Sequence, residues 1–83
     1  MIGRRRDKLE IIMELLTAAD HPHGANKTKL VYQSNLNFNR LEGFLQFLLE
    51  KELVEENEDN NRYITTVKGR QFLQQLKTMQ KML

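Results

Sequence analysis

The residues best suited to chemistry form a polar row within residues 35–52, NLNFNRLEGFLQFLLEKE. At helical spacing this row contains Asn39, Arg40, Gly43 and Gln46. Asn, Arg and Gln side chains hydrogen-bond base edges in a major groove, and a glycine lets a helix approach a phosphate backbone closely. A solvated helix face with an incidental glycine would carry the same residues. The row is compatible with both interpretations.

An apolar stripe on the same segment predicts the helix that positions this row. Five apolar residues recur at 3–4 spacing and should be buried together: Phe38, Leu41, Phe44, Leu45 and Leu48. Asn37 is the natural N-cap, with Asn35 as a second candidate, because an Asn side chain accepts from the free N–H groups of the first turn.

Two further helices precede it. Residues 4–19 place Leu9, Ile12, Met13 and Leu16 on one stripe, widened by Ile11 and Leu15. Residues 26–34 predict a short helix capped by Asn26 or Thr28, with Leu30 and Val31 facing inward and Lys27 and Lys29 at its start. A tight turn at residues 35–36 then leads into the longer helix, and two helices joined in this way make a helix-turn-helix, a shape that also serves packing alone.

Charge is distributed unevenly along the chain, although the net charge is only +2. Counting Lys and Arg against Asp and Glu gives +3 for residues 1–41, −5 for residues 42–62 and +4 for residues 63–83. The basic segments could together form a surface for phosphates. Arg4, Arg5 and Arg6 stand where the helix dipole disfavours positive charge, so they either hold an anionic polymer or lie in a solvated terminus.

The periodicity changes after Glu52. Residues 53–56 and 62–66 predict two short strands joined by the turn-forming residues 57–61, which makes a β-hairpin. Thr66 is the expected N-cap of a last helix, residues 67–83, with a seam at Phe72, Leu76, Met79 and Leu83 and with Leu73 beside it. This seam can pack on the domain's own core or on a partner helix, most simply that of a second copy.

Length and composition restrict the function. A chain of 83 residues, 40% hydrophobic and 29% charged, is one globular domain with a small core, which disfavours an enzyme. It has no cysteine, no apolar run of the roughly 18 residues that a membrane span requires, and no apolar segment near its start that could serve as a signal peptide. We therefore expect a cytoplasmic protein. His21 and His23 fit a solvated turn better than a metal site, so we expect no metal or cofactor.

Several residue strings together resemble small archaeal winged helix-turn-helix proteins, the 10a-type chromatin proteins and the Arn-type transcriptional regulators. They are KTKLVY at 27–32, SNLNF at 34–38, FLLEKELV at 47–54 and YITTVKGRQFL at 63–73. The resemblance covers about residues 8–76, and its motifs are structural, such as the Thr-x-Lys-Gly opening at Thr66. It implies a mainly α member of the α+β class: three helices, a two-stranded hairpin wing and a C-terminal dimerisation helix. Residues 1–66 would form the DNA-binding domain, with residues 67–83 packed on it as that helix.

The resemblance also implies double-stranded DNA binding by a homodimer, as a transcriptional regulator or a nucleoid-associated protein. The third helix would be the recognition helix. Residue by residue, and together with the basic residues above, the expected DNA-binding set is Arg4, Arg5, Arg6, Lys27, Thr28, Lys29, Asn37, Asn39, Arg40, Gly43, Gln46 and Arg62. The expected dimer interface is Phe72, Leu73, Leu76, Met79 and Leu83.

The sequence departs from the family's pattern in two places, and a function of a different class is a separate alternative. The wing tip, residues 55–61, is acidic and would be repelled by phosphates, which leaves Arg62 as its one basic contact. The sequence also stops at Leu83, whereas the 10a type continues into a longer coiled coil. The alternative is a winged-helix module that binds another protein through the acidic residues 50–59, Phe47, Leu49 and the terminal apolar stripe.

Overall fold

The computed structural model describes residues 7–82 as four helices and a two-stranded antiparallel sheet. In chain order the elements are α1 (Lys8–Ala19), α2 (Lys27–Ser34), α3 (Phe38–Glu50), β1 (Val54–Asn57), β2 (Arg62–Thr65) and α4 (Val67–Met82). This is the predicted mainly α winged-helix architecture. Arg4, Arg5, Arg6 and Leu83 lie outside the described residues.

Side-chain caps fix where the helices begin. Asp7 accepts from the Glu10 N–H at 2.9 Å and forms a capping box with it, so the described first helix starts at Lys8 rather than at residue 4. Asn26 caps α2 and Asn37 caps α3, each accepting at 2.8 Å from the N–H three residues on. Thr66 caps α4 by accepting from the Gly69 N–H at 2.9 Å. The caps predicted at Asn37 and Thr66 are confirmed, and Asn26, not Thr28, caps α2.

The turn between α2 and α3 is held at both ends. Asn35 adopts a left-handed conformation with φ of 57° and ends α2, so it is not the cap of α3. Leu36 donates its N–H to the Val31 carbonyl and buries its side chain, which remains 6% exposed. The short turn therefore fixes the angle at which α3 leaves α2, as the helix-turn-helix arrangement requires.

The hairpin is tied to the helical body by hydrogen bonds. Tyr63 exchanges two backbone hydrogen bonds with Ala25, at 2.8 and 2.9 Å. The buried Thr65 hydroxyl donates to the Leu16 carbonyl at 2.7 Å, which joins β2 to α1. Gly69 is needed because a Cβ there would lie 2.0 Å from the Leu53 carbonyl oxygen. The hairpin and the start of α4 are thus set rigidly against the core.

The core is formed mainly by α1, α3 and the residues next to the hairpin. Its centre includes Leu15, Leu16 and Leu41, all at most 1% exposed. Two predicted core residues are wrong: Leu9 is 47% exposed and Phe38 is 53% exposed. Both lie in the first turn of their helices, where side chains tilt past the helix start and away from the body. Among residues 7–82, no helix is both long and apolar enough to span a membrane.

Candidate nucleic-acid interface

The outer face of α3 presents the predicted polar row to solvent. All four members are exposed: Asn39, Arg40, Gly43 and Gln46. Asn39, Gly43 and Gln46 lie opposite the buried stripe of α3, whereas Arg40 lies at its edge, about 100° of helix rotation from Leu41. At Gly43, an added Cβ would meet no heavy atom within 4 Å, so the glycine is not required by internal packing. A helix of this kind can approach a flat or grooved partner closely at Gly43, with hydrogen-bonding side chains on either side.

The capping residue at the start of α3 also faces solvent. The Asn37 oxygen is occupied by the Arg40 N–H, at 2.8 Å. Its amide nitrogen carries two N–H donors and can donate a hydrogen bond to a phosphate or a base at the start of α3. Asn37 therefore combines a structural task with a donor on the exposed end of α3.

Arg40 borders an apolar groove between α1 and α3. The groove has a volume of about 350 Å³ and is lined by Lys8, Ile12, Arg40, Gly43, Phe44 and Phe47. The Arg40 guanidinium lies 5.9 Å from the centroid of the Phe44 ring, a cation–π distance that restrains its side chain. Lys8, absent from the predicted set, adds a second cation to the lining of this groove. Only the folded chain brings it there, since the two residues lie on different helices.

Lys27 is engaged by an acidic residue of α3. Its ammonium donates to the Glu42 carboxylate, and this hydrogen bond raises the pKa of Lys27 above its ordinary value. Glu56 of β1 adds a further, weaker attraction for the same ammonium. Lys27, which is expected to hold a phosphate, therefore already has a carboxylate partner on α3, the expected recognition helix.

Lys29 faces away from Lys27. Two residues correspond to about 200° of helix rotation, so the lysines cannot share one face of α2. Lys29 lines a separate groove of about 540 Å³ together with Glu10 and Glu14 of α1. Thr28, between the two lysines, is exposed on α2. The basic patch expected at residues 27–29 is thus divided between two surfaces.

The hairpin tip is acidic and solvent-exposed. Residues 55–60 all face solvent, and four of them are carboxylates: Glu55, Glu56, Glu58 and Asp59. Arg62 is half-buried at the loop end of the hairpin, where it pairs with Asn57. Its guanidinium lies 3.4 Å from the Gly24 carbonyl oxygen, to which it donates. The tip therefore offers little to a polyanion, and Arg62 is held close to the body.

A family model described as winged helix-turn-helix matches residues 5–83. The chain belongs to the winged helix-turn-helix family. In this family's terms, α2 and α3 are the helix-turn-helix and the β1–β2 hairpin is the wing. The resemblance inferred from the sequence is confirmed.

Two known proteins are similar to this winged-helix chain. It is 31% identical over 72 residues to the uncharacterized protein MJ0290 of Methanocaldococcus jannaschii, matching 87% of this chain. The chain spans about a third (33%) of that relative's length. The crystal structure of Sso10a-2, described as a DNA-binding protein from Sulfolobus solfataricus, superimposes with a TM-score of 0.82. That match covers 93% of this chain and 81% of the other at 20% identity, which shows a shared fold.

The last helix of this winged-helix protein divides the residues expected at a dimer interface. Leu73 and Leu76 are 5% and 8% exposed and belong to the domain's own core. Phe72 is half-buried against that core. Met79 is 55% exposed and remains available beyond that core. Met82, which is not in the expected set, is 79% exposed near Met79. Of the docking residues in the alternative function, Phe47 is 38% exposed, whereas Leu49 packs partly against the core.

The two histidines lie in the turn between α1 and α2. Their ring centroids are 5.7 Å apart, and the His23 N–H donates to His21 Nδ1 at 3.2 Å. Within residues 7–82, no group of three or more His, Asp or Glu side chains is placed to hold a metal ion.

Proposed function

We propose that this winged-helix chain binds double-stranded DNA with α3 as its recognition helix. The observation that carries the proposal is the exposed row of Asn39, Arg40, Gly43 and Gln46 on a helix fixed by the helix-turn-helix. The similarity in fold to a protein described as DNA-binding supports it. In this arrangement α3 would lie in the major groove and α2 would cross the phosphate backbone.

The proposed contacts fall into two kinds. Arg40, Lys8, Lys27 and Thr28 would hold phosphates along with Asn37, while Arg4, Arg5 and Arg6 and the half-buried Arg62 would extend the basic surface. Asn39 and Gln46 would reach base edges, and Gly43 would allow close approach. We assign Lys29 a smaller share, because it faces the groove that Glu10 and Glu14 also line.

We further propose that the protein acts as a homodimer joined through α4. The exposed Met79 and Met82 support this, because they extend the apolar stripe of α4 beyond the domain's own core. Two copies would read half-sites about 34–36 Å apart, one helical turn of DNA. Such a protein would act by occupancy rather than catalysis, as a transcriptional regulator or a nucleoid-associated protein.

A matched pair of substitutions tests the proposed face. Arg40→Gln and Lys29→Gln each remove one exposed positive charge, from α3 and from the groove beside α1. Measured by fluorescence anisotropy on a random-sequence duplex, Arg40→Gln should weaken binding and reduce the salt slope by about one. Lys29→Gln should change the affinity and the salt slope less than Arg40→Gln does. Equal effects of the two substitutions would remove α3 as the DNA-binding face. Binding by neither variant nor the wild type would favour the alternative, a module that docks another protein.

A further inference from the structure

Glu42 is a carboxylate on the helix proposed to enter the major groove, where the phosphates make negative charge costly. It precedes Gly43 directly, lies two residues after Arg40, and its side chain is 55% exposed. No contact within the core requires an acid at this exposed position of α3. Its side chain therefore lies on the outer surface of the helix-turn-helix.

Lys27 fixes the position of that carboxylate. Lys27 is the first residue of α2, and its side chain is 39% exposed. Its ammonium pairs with Glu42 Oε2 of α3, which joins the two helices of the helix-turn-helix. A carboxylate has about four acceptor sites on its two oxygens, and the Glu42 side chain is 55% exposed, so acceptor sites remain open to solvent beside the ion pair. The ion pair thus presents a positioned hydrogen-bond acceptor, with its charge partly balanced, at the surface proposed to meet DNA.

The base that suits such an acceptor is cytosine. In the major groove cytosine offers the N4 amino donor, guanine offers only acceptors, and adenine places the N7 acceptor beside its donor. A carboxylate therefore pairs best with cytosine and is repelled by the acceptors of guanine and thymine.

We propose that Glu42 is a specificity-determining residue that selects cytosine by accepting a hydrogen bond from its N4 amino group. Lys27 is the positioning residue that holds the carboxylate. This inference rests on the proposed function, and it makes the protein sequence-selective at one position of each half-site.

Glu50 provides the matched control. It is also an exposed carboxylate of α3, and it accepts from Gln46 Nε2 at 3.4 Å. It lies eight residues further along the helix, about 12 Å at 1.5 Å per residue. Glu50→Gln and Glu42→Gln change the net charge equally, but only Glu42→Gln alters the carboxylate held by Lys27.

The test is a selection from a random duplex pool by the wild type, Glu42→Gln and Glu50→Gln, followed by titration of the selected duplex and its single-base variants. The wild type should select cytosine at one fixed position, and replacing that base should weaken binding by about 5- to 150-fold. Glu42→Gln should prefer adenine there, because a glutamine amide pairs with adenine N6 and N7. Glu50→Gln should retain cytosine. Lys27→Gln should lower the ratio of affinities for the cytosine site and its variants, which a merely structural role would leave unchanged.

Each other outcome overturns the inference. If Glu42→Gln selects the wild-type sequence, or if it shifts preference no differently from Glu50→Gln, Glu42 acts only through its charge. A wild type that binds random duplex without any preferred base refutes base selection while leaving the proposed DNA binding intact. A wild type that binds neither random nor selected duplex refutes the proposed function as well. Far-UV circular dichroism of each variant confirms that it is folded.

Discussion

Replacing Gly43 by alanine should stabilise the protein and weaken its DNA binding. An added Cβ would meet no heavy atom within 4 Å, so the folded chain accommodates it without strain. Alanine is favoured over glycine inside a helix by about 0.8–1.0 kcal/mol. For a domain of this size, that gain corresponds to a rise of about 4–8 °C in Tm. Thermal unfolding followed by circular dichroism measures it.

The same methyl group would stand on the face proposed to meet DNA. If α3 approaches the duplex most closely at Gly43, the helix must move outward to admit the Cβ, and a neighbouring contact from Asn39 or Arg40 lengthens. Losing one such contact costs about 1–2 kcal/mol, or about 5- to 30-fold in affinity. Anisotropy titration of a random-sequence duplex measures this loss. Stability and affinity should thus change in opposite directions.

Gly69→Ala is the internal comparison. Its Cβ would lie 2.0 Å from the Leu53 carbonyl oxygen and 2.9 Å from Thr65 Cγ2, so the helix-propensity gain should be overridden and Tm should fall. The fraction that remains folded should bind DNA as the wild type does. If Gly43→Ala raises Tm and leaves affinity unchanged, the reasoning about close approach is refuted and the outer face of α3 is only a solvated surface.

Three further predictions concern α4, the wing and the buried Tyr63. Replacing Met79 and Met82 with Glu should convert the proposed dimer to a monomer in sedimentation experiments. Val67→Glu, at the exposed start of α4, should leave it dimeric. A wild type that sediments as a monomer at high concentration would contradict the proposed dimer. Neutralising the wing should strengthen duplex binding if the wing approaches phosphates, and an unchanged affinity would show that it stays clear; the residues to neutralise are Glu55, Glu56, Glu58 and Asp59. Burial, and then the Glu56 carboxylate, raise the pKa of Tyr63 above the 10.0 of a free phenol. The neutral Tyr63 phenol therefore contributes its full stabilisation below about pH 10, and this contribution is lost as pH rises through the folded-state pKa. The free energy of unfolding, measured with urea, should fall between about pH 8 and about pH 11.5, and it should fall less in Tyr63→Phe than in the wild type.

The order of elements could be predicted because each leaves a local signal. The caps at Asn37 and Thr66 and the cluster of turn-forming residues between the strands depend on a few neighbouring residues and on backbone chemistry that a sequence displays directly. The periodicity wrongly predicted that Leu9 and Phe38 are buried. The spacing of apolar residues shows which side of a helix faces the core, but it does not show where the core ends along the helix. Both residues lie in first turns that project past the core.

The candidate site was less predictable, because its electrostatics depend on pairs far apart in the chain. Lys27 and Glu42 are 15 residues apart, and Lys8 and Arg40 lie on different helices. No window of sequence shows that the first two are paired or that the other two line one groove. Lys27 and Lys29 look like one basic patch in sequence, but helix geometry sends them to different surfaces. Likewise, Leu73 and Leu76 match a dimer seam in spacing, whereas their burial shows that the domain itself covers them.

The salt dependence of binding to a random-sequence duplex tests the proposed DNA binding most directly. Each phosphate contact releases condensed counterions, so a dimer with roughly 6–10 contacts should lose about three to five powers of ten in affinity between about 50 and about 200 mM salt. Fluorescence anisotropy at the two concentrations measures this change. A steep fall of that size is the expected result. Absence of binding at the lower salt concentration, or an affinity that does not change with salt, would contradict a phosphate-tracking surface on this winged helix.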